Sequence, residues 1–485
     1  MKTKTQLLVS TLCTKLFLLL GFIFFSLTAG ATKPVISSNP SNEPKSGMQL
    51  WLTLPDQSVL FQKQPVVLNF ENSTNEWETI EVDTAVTYQS MDGFGYTLTG
   101  GSALLINSLD AETKKDLLME LFSTHGDGIG VSYLRISIGA SDLSDTVFTY
   151  DEMPTGQTDE KLANFSIHRE KADLIPLLKQ ILEIAPDLKI LGSPWTAPTW
   201  MKTNNSYKGG SLKLEYYNAY ARYFVKYIQA MGKEGIPIDA ITVQNEPLHP
   251  GNVPSMYMEA TDQALFIKNH LGPIFQEAAI STKIIVYDHN ADRPDYPLTI
   301  LNDPEAKKYI DGSAFHLYGG NVSALSEVHN THPDKNVYFT EQWVGGPSNF
   351  GGDLGWHIET LIIGAPGNWS RNVLEWKLAS DTNYYPHTDG GCTNCLGALT
   401  ISDGVSRNVA YYIIAHASKF VRPGSVRINS NMPEKLSNVA FISPTGQKIL
   451  VVLNKSANAQ SFNIKFNGKQ VTTSLEKGAV GTYVW

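Results

Sequence analysis

Eight short apolar segments, separated by stretches with helical periodicity, run through the middle of the chain and leave it few ways to fold. They end near Gly95-Tyr96-Thr97, Leu134-Arg135-Ile136, Leu191-Gly192-Ser193, Ile241-Thr242-Val243, Ile284-Ile285-Val286, Ala314-Phe315-His316, Val337-Tyr338-Phe339 and Leu374-Glu375-Trp376. Helix candidates fill the gaps, among them Ala172 to Ala185 and Lys213 to Met231 with its row of tyrosines. Strands that alternate with crossover helices make a parallel sheet, and eight such units close a (β/α)8 barrel of the TIM type. In that fold chemistry collects at the C-terminal ends of the strands.

Both flanks of this region are β-rich. Met48 to Tyr88 contains runs such as Gln49-Leu50-Trp51-Leu52-Thr53 and Thr79-Ile80-Glu81-Val82-Asp83, and similar runs return in Val439–Ile442, Lys448–Asn454, Ser461–Phe466 and Gly481–Trp485. Alternating apolar and polar residues mark half-buried strands, so the two ends are expected to form one β-sandwich together. A chain of 485 residues has room for that second domain. The expected division is sandwich at 48–90, barrel at 91–415 and sandwich again at 416–485.

The first 31 residues read as an export signal: Lys2, Lys4 and Lys15 precede the apolar run Leu16 to Leu27, and Ala29-Gly30-Ala31 offers small residues for cleavage. That run is shorter than the roughly 18 to 20 residues of a membrane span, so stable membrane insertion is not expected. Residues 32–47 are Ser, Asn, Pro, Lys and Glu with little to bury, and read as a flexible linker. The expected location is secreted or periplasmic. A formal charge of −9 provides no basic stripe for a phosphate backbone, which argues against nucleic acid.

Cleavage of the signal leaves two cysteines, Cys392 and Cys395. In an exported protein a pair three apart favours a local disulfide, with two free thiols as the alternative. Zinc would need two more ligands at suitable spacing, and none accompanies them, so no metal is expected.

Two carboxylates stand where a barrel enzyme would need them. In Ile241-Thr242-Val243-Gln244-Asn245-Glu246-Pro247 a β-branched strand stops at a polar triplet, and Pro247 blocks further ladder pairing. In Val337-Tyr338-Phe339-Thr340-Glu341 a second short strand ends on a carboxylate. A single glutamate after a strand is usually a solvated charge. A pair at the ends of strands four and seven suits glycoside hydrolysis with retention, which needs two carboxyl groups about 5 to 5.5 Å apart. Asn245 beside the first adds an amide able to donate to a substrate hydroxyl.

With Tyr133-Leu134-Arg135-Ile136 running on to Asp142, Ser193-Pro194-Trp195-Thr196-Ala197-Pro198-Thr199-Trp200-Met201-Lys202, Gln244-Asn245-Glu246-Pro247, Phe315-His316-Leu317-Tyr318 and Thr340-Glu341, the chain resembles glycoside hydrolase family 30 from about residue 50 to residue 485. That family contains lysosomal glucosylceramidase and bacterial and fungal β-1,6-glucanases. The resemblance implies a retaining double displacement with Glu246 as acid/base and Glu341 as nucleophile, and no cofactor. It makes Asn245 the partner of the sugar 2-hydroxyl, Arg135 the cation that keeps a carboxylate ionised, Asp142 and Trp376 binders of outer hydroxyls, and Trp195 an apolar face for the sugar.

His316 and Tyr318, two apart on one strand, share a side and are expected to orient Glu341, although a histidine in a strand is often structural. Asp288-His289-Asn290 reads as a polar rim after strand five, because adjacent strand residues point apart. The loop Asp389 to Leu399 looks more like the β-1,6-glucanase branch than glucosylceramidase. The expected partner is therefore a β-glucan or glucoside, most simply β-1,6-glucan. Glucosylceramide, xylan and galactan stay open, as does a non-catalytic glycan-binding protein, which would call for a damaged carboxylate pair.

Overall fold

The computed structural model describes residues 47–485, so the export signal expected at 1–31 and all of the linker except Gly47 lie outside the described residues. The eight barrel strands are Gly93–Thr97, Tyr133–Ser137, Lys189–Ser193, Ala240–Thr242, Lys283–Ala291, Ile310–Gly320, Asn336–Glu341 and Ser370–Glu375. Each pairs in parallel with its neighbours, and the eighth closes on the first through Asn372 to Glu375 opposite Gly93 to Tyr96. All eight expected strands take part.

The period of two along a strand builds the barrel in layers. Tyr133, Leu191, Ala240, Ile285, Ala314, Tyr338 and Leu374 point inward and fill the floor. Their neighbours Leu134, Ile190, Ile241, Ile284, Phe315, Val337 and Val373 point outward and pack under the helices. One of these helices, Tyr217–Lys233, buries Tyr220, Tyr223 and Tyr227, spaced three and four apart on a single face. Two residues above the floor the inward positions turn polar: Arg135, Ser193, Thr242, His316 and Thr340. Strand five breaks the alternation. Tyr287 and Asp288 adopt φ of 75° and 63°, the register shifts between Tyr287 and His289, and Asp288 joins the polar layer.

The two chain ends form a nine-stranded sheet in the order Gln62–Lys63, Gln49–Thr53, Val480–Val484, Lys448–Asn454, Leu436–Ile442, Val426–Ser430, Glu78–Ser90, Gln460–Phe466, Lys469–Leu475. Glu78–Ser90 joins its two parts: Glu78 to Glu81 pair in parallel with Gln460–Phe466, and Val82 to Ser90 run antiparallel to Val426–Ser430. Central strands of this sheet are buried on both faces. Along Lys448–Asn454, Leu450 and Val452 enter the sandwich core, whereas Ile449, Val451 and Leu453 pack with the barrel core.

Helix Val409–Ser418 is buried along its whole length. The expected boundary between residues 415 and 416 falls inside it. Both ring nitrogens of His416 lie 2.8 Å from threonine hydroxyls, Thr482 and Thr53, which stand on strands from opposite ends of the chain. Burial pushes this imidazole down to about 3, so it bridges the two strands as a neutral group. Among the described residues no helix is long and apolar enough to cross a membrane.

Deleting residues 437–485 removes one of the two neighbours of Gln49–Thr53, nearly all of one of the two neighbours of Val426–Ser430, and one wall of the barrel core, so the truncated chain should be insoluble; a soluble, active truncation would contradict this architecture. A milder version is Val451→Asp, which places an unpaired charge at the seam. It should lower unfolding stability by more than about 3 kcal/mol in denaturant titration.

Candidate active site

Asp288 sits at the centre of the polar layer with no exposure to solvent. Its Oδ2 accepts from Arg135 Nη2 at 2.8 Å, Ser193 Oγ at 2.6 Å and Thr242 Oγ1 at 2.7 Å. Its Oδ1 accepts from Thr340 Oγ1 at 2.6 Å and faces His316 Nε2 at 3.0 Å. Burial alone would raise this carboxyl, but Arg135, His316 and the hydroxyl donors outweigh it and hold the group well below the usual carboxylate range. Asp288 was expected on a polar rim. The bulge at Tyr287 and Asp288 corrects that reading, because it lets Asp288 turn into the barrel while His289 and Asn290 face the cavity above.

The guanidinium of Arg135 spreads that anchor to the carboxylates. It donates to Glu341 Oε2 at 2.5 Å and to Asn245 Oδ1 at 2.6 Å, in addition to Asp288. With its oxygen engaged by Arg135, Asn245 presents its NH2 group as the free end. Glu246 is held by its backbone: φ is 43°, and its N–H donates to the Asp288 carbonyl at 3.0 Å. Carboxylate oxygens of Glu246 and Glu341 and a ring nitrogen of His316 all lie within 4.8 Å of one another. Such a trio resembles a metal site, yet Arg135 is salt-bridged to Glu341 and His316 sits between carboxylates as a cation. Those positive charges disfavour a further cation there.

Tyr318 donates its hydroxyl to Glu341 Oε1 at 2.9 Å, as expected, while its ring faces the open cleft. His316 differs from expectation: Nδ1 lies 3.1 Å from Glu246 and 3.8 Å from Glu341, so it serves Glu246 and Asp288. Strand alternation gave the correct side for both residues but could not tell which carboxylate each would reach.

Trp195 and Trp376 stack at 5.6 Å with an interplanar angle of 23°, and the Arg135 guanidinium lies 4.7 Å from the Trp195 ring. Cys392 and Cys395 are joined in a disulfide with Cα atoms 5.8 Å apart, packed on these tryptophans. The Cys392 N–H reaches Asp142 Oδ2 at 3.3 Å, and the Thr388 N–H holds the Asp142 carbonyl at 2.8 Å. Burial, followed by the charge of Glu341, pushes the Asp142 carboxyl up to about 7, so near neutrality it can donate as well as accept. These groups line a cavity of about 350 Å³ that His249, Asn252, His289, Asn290 and Trp343 complete. The last five were not singled out as contacts from sequence, nor were Ser193, Thr242 and Thr340 below them. The hydroxyls carry one legible signal, a Ser or Thr two residues beyond an inward apolar position.

Known proteins share this fold. The model described as the glycosyl hydrolase family 30 TIM-barrel domain matches residues 91–421, and that of the family 30 beta sandwich domain matches residues 424–483. The chain belongs to glycosyl hydrolase family 30. Within the family, Endo-1,6-beta-D-glucanase neg1 of Aspergillus fumigatus is 36% identical over 415 residues, covering 80% of this chain and 83% of the relative. Lysosomal acid glucosylceramidase of Mus musculus is 31% identical, covering 82% and 81%. Among solved structures, the endo-beta1,6-glucanase BT3312 superposes with a TM-score of 0.84 at 34% identity, covering 90% of this chain and 99% of that one. The protein is thus a glycosyl hydrolase.

In this family 30 site the His316 imidazole and the Glu246 carboxylate face each other at 3.1 Å. Burial disfavours a charged imidazole at His316, but Glu341, Asp288 and Glu246 together raise it to about 9. Burial would raise Glu246, and the facing imidazole pulls it down instead. Near neutrality His316 is therefore the protonated partner, one hydrogen bond from Glu246. Burial and the charges of Glu246 and Asp288 push Glu341 up, against the pull of His316 and Arg135.

Asp288→Ala leaves a buried guanidinium and three hydroxyls without their acceptor, so it should cost roughly 3 to 5 kcal/mol in denaturant unfolding, well beyond an ordinary surface substitution. The pH profile of kcat/KM provides a second check. His316 holds its proton at neutral pH and loses it as pH rises toward about 9, so an activity that needs a proton on the Glu246–His316 pair should fall over that range. His316→Asn removes the imidazole that stores this proton, so the alkaline limb should move to lower pH by at least about one unit. An unmoved limb would separate His316 from the titration.

Proposed function

We propose that the protein is an exported retaining β-glucanase that cleaves β-1,6-linked glucan by double displacement. The observation that carries this reading is the approach of Glu246 and Glu341 oxygens to within 4.8 Å at the ends of strands four and seven. Retaining enzymes hold their carboxyl groups about 5 to 5.5 Å apart, whereas inverting ones need about 6.5 to 9.5 Å to admit a water.

In this reading Glu341 attacks the anomeric carbon, and Arg135 and Tyr318 keep its attacking carboxylate charged and aimed. Glu246 receives the His316 proton as the sugar excludes water, because an ion pair is then costlier than two neutral groups, and gives it to the departing oxygen. The C1–O bond to the leaving sugar breaks as the bond to Glu341 forms. Water then enters, Glu246 takes its proton, and a second inversion restores the β configuration. Formation of the ester removes the charge of Glu341, which lets Glu246 turn from acid to base. Asn245 donates to the sugar 2-hydroxyl, Asp142 and Trp376 bind outer hydroxyls, and Trp195 backs the ring.

The substrate follows from two supports. Relatives named as endo-1,6-beta-glucanases are 32% to 36% identical to this chain, and the cavity wall near Glu246 is imidazole and amide, not hydrocarbon. The identity of 31% to a glucosylceramidase keeps glucosylceramide as a second reading. Export rests on the amino-terminal 31 residues. Purified protein offered β-1,6-glucan, β-1,3-glucan, xylan and glucosylceramide, with product lengths recorded, separates the possibilities; cleavage of glucosylceramide alone would overturn the glucan reading.

The two carboxylates should fail differently. Glu246→Ala should still be glycosylated by a dinitrophenyl β-glucoside, whose leaving group needs no proton, and azide should rescue turnover as the β-glycosyl azide. Glu341→Ala forms no ester, so azide should give the α-product if anything. Either change should lower turnover of glucan by several orders of magnitude. Azide products of the opposite configuration would exchange the two roles.

A further inference from the structure

His289 is a cavity residue with no established partner. Its ring lines the cavity, and its Nδ1 is buried without a hydrogen-bond partner. With Nδ1 enclosed, Nε2 is the ring nitrogen left to meet a ligand in the cavity. Burial, against the opposing charge of Glu246, pushes this imidazole down to about 4, so near neutrality it is an uncharged donor and acceptor. Its position fixes the side of the cleaved bond it serves. Trp195, Trp376 and the disulfide pack together as one part of the lining, with Asp142 bonded to Cys392, whereas His289 sits among Glu246, His316 and His249. His289 follows the bulge beside Glu246, whose backbone N–H is bonded to the Asp288 carbonyl. Next to it, Asn290 spends its side-chain oxygen on the Tyr318 N–H at 3.0 Å, which leaves its NH2 group free.

We infer that His289 selects a sugar on the leaving-group side of the cleaved bond, by hydrogen bonding from Nε2 to a hydroxyl of the departing residue. The inference rests on the glycosidase reading above. It carries a second consequence, because the position that releases the leaving sugar also receives an acceptor sugar in the reverse direction. A hydroxyl oxygen of an acceptor held by His289 attacks C1 of the glycosyl-enzyme. The bond from C1 to Glu341 breaks, its electron pair returns to that carboxylate, and the hydroxyl proton passes to Glu246. Transfer to sugar thereby competes with hydrolysis.

The test compares wild type, His289→Phe and His289→Gln on a β-1,6-linked gluco-oligosaccharide and on a nitrophenyl β-glucoside, with transfer products counted beside hydrolysis. The Phe variant keeps the bulk of the ring without its nitrogens, and the Gln amide can reach the region of Nε2. Loss of one hydrogen bond should lower the Phe variant's kcat/KM ratio of oligosaccharide to aryl glucoside by roughly tenfold, with a comparable fall in the ratio of transfer to hydrolysis, and Gln should restore most of both. His289→Ala reads the same ratios if the Phe variant is not recovered folded. Ratios equal to wild type in a variant of unchanged thermal stability would overturn the inference, as would equal losses on both substrates, which mean action through Glu246. A wild type that cleaves neither substrate would instead remove the glycosidase reading beneath it.

Discussion

The carboxylate of Asp288, buried with five partners from five different barrel strands, is the constraint on which the rest of the site depends. Removing such a group from water costs several kcal/mol unless its lone pairs are filled and a cation stands beside it. Arg135, Ser193, Thr242, His316 and Thr340 meet that requirement together. Loss of any one partner leaves the others poorly matched. The arrangement also sets positions above the layer: Arg135 is fixed by Asp288 and in turn fixes Glu341 and Asn245, while His316 is fixed by Asp288 and in turn faces Glu246. Glu246 and Glu341 are therefore both placed through a third, buried carboxylate.

Much of this was legible because strand alternation is a local rule. Eight apolar runs predicted eight strands, and the barrel they imply places its chemistry at the C-terminal strand ends. Glu246 and Glu341 fall out of that pattern, as does the common side of His316 and Tyr318. What the pattern missed comes from one departure from alternation. Tyr287 and Asp288 carry side chains that normally avoid positive φ, so no glycine marks the bulge, and the rule assigned Asp288 to the rim. The partner of His316 was also hidden, since sidedness does not fix which of two nearby acids an imidazole reaches. Helix Val409–Ser418 was cut by the expected boundary because its apolar character is continuous with both the barrel core and the sheet behind it.

The sandwich is more than an appendage. Strand Lys448–Asn454 has no polar face, because one side closes the sandwich and the other closes the barrel core. A neutral His416 then ties the last barrel helix to strands from both chain ends. Each of these contacts spans a long sequence separation, so barrel and sandwich are expected to unfold as one cooperative unit. Rigidity of that kind suits a site whose distances must hold to about half an ångström.

The cavity above the polar layer is chemically asymmetric, and the asymmetry follows from how each wall is built. On one side Trp195 and Trp376 stack on each other and on the Cys392–Cys395 disulfide, a dry wall that Asp142 interrupts with a carboxyl poised near neutrality. Such a wall can recognise a sugar by ring stacking and a few fixed hydroxyl contacts. The rest of the lining includes His249, Asn252, His289 and Asn290, short polar groups on the segment that follows strand four and at the end of strand five. A hydrocarbon chain placed there would strip water from amides and imidazoles without replacing their hydrogen bonds, at a cost that grows with each unpaired group. A sugar replaces those bonds hydroxyl by hydroxyl. The Glu246–His316 pair lies on this polar side as well. In the proposed reaction this asymmetry would give the retained sugar to the aromatic wall and the departing sugar to the polar side that carries Glu246.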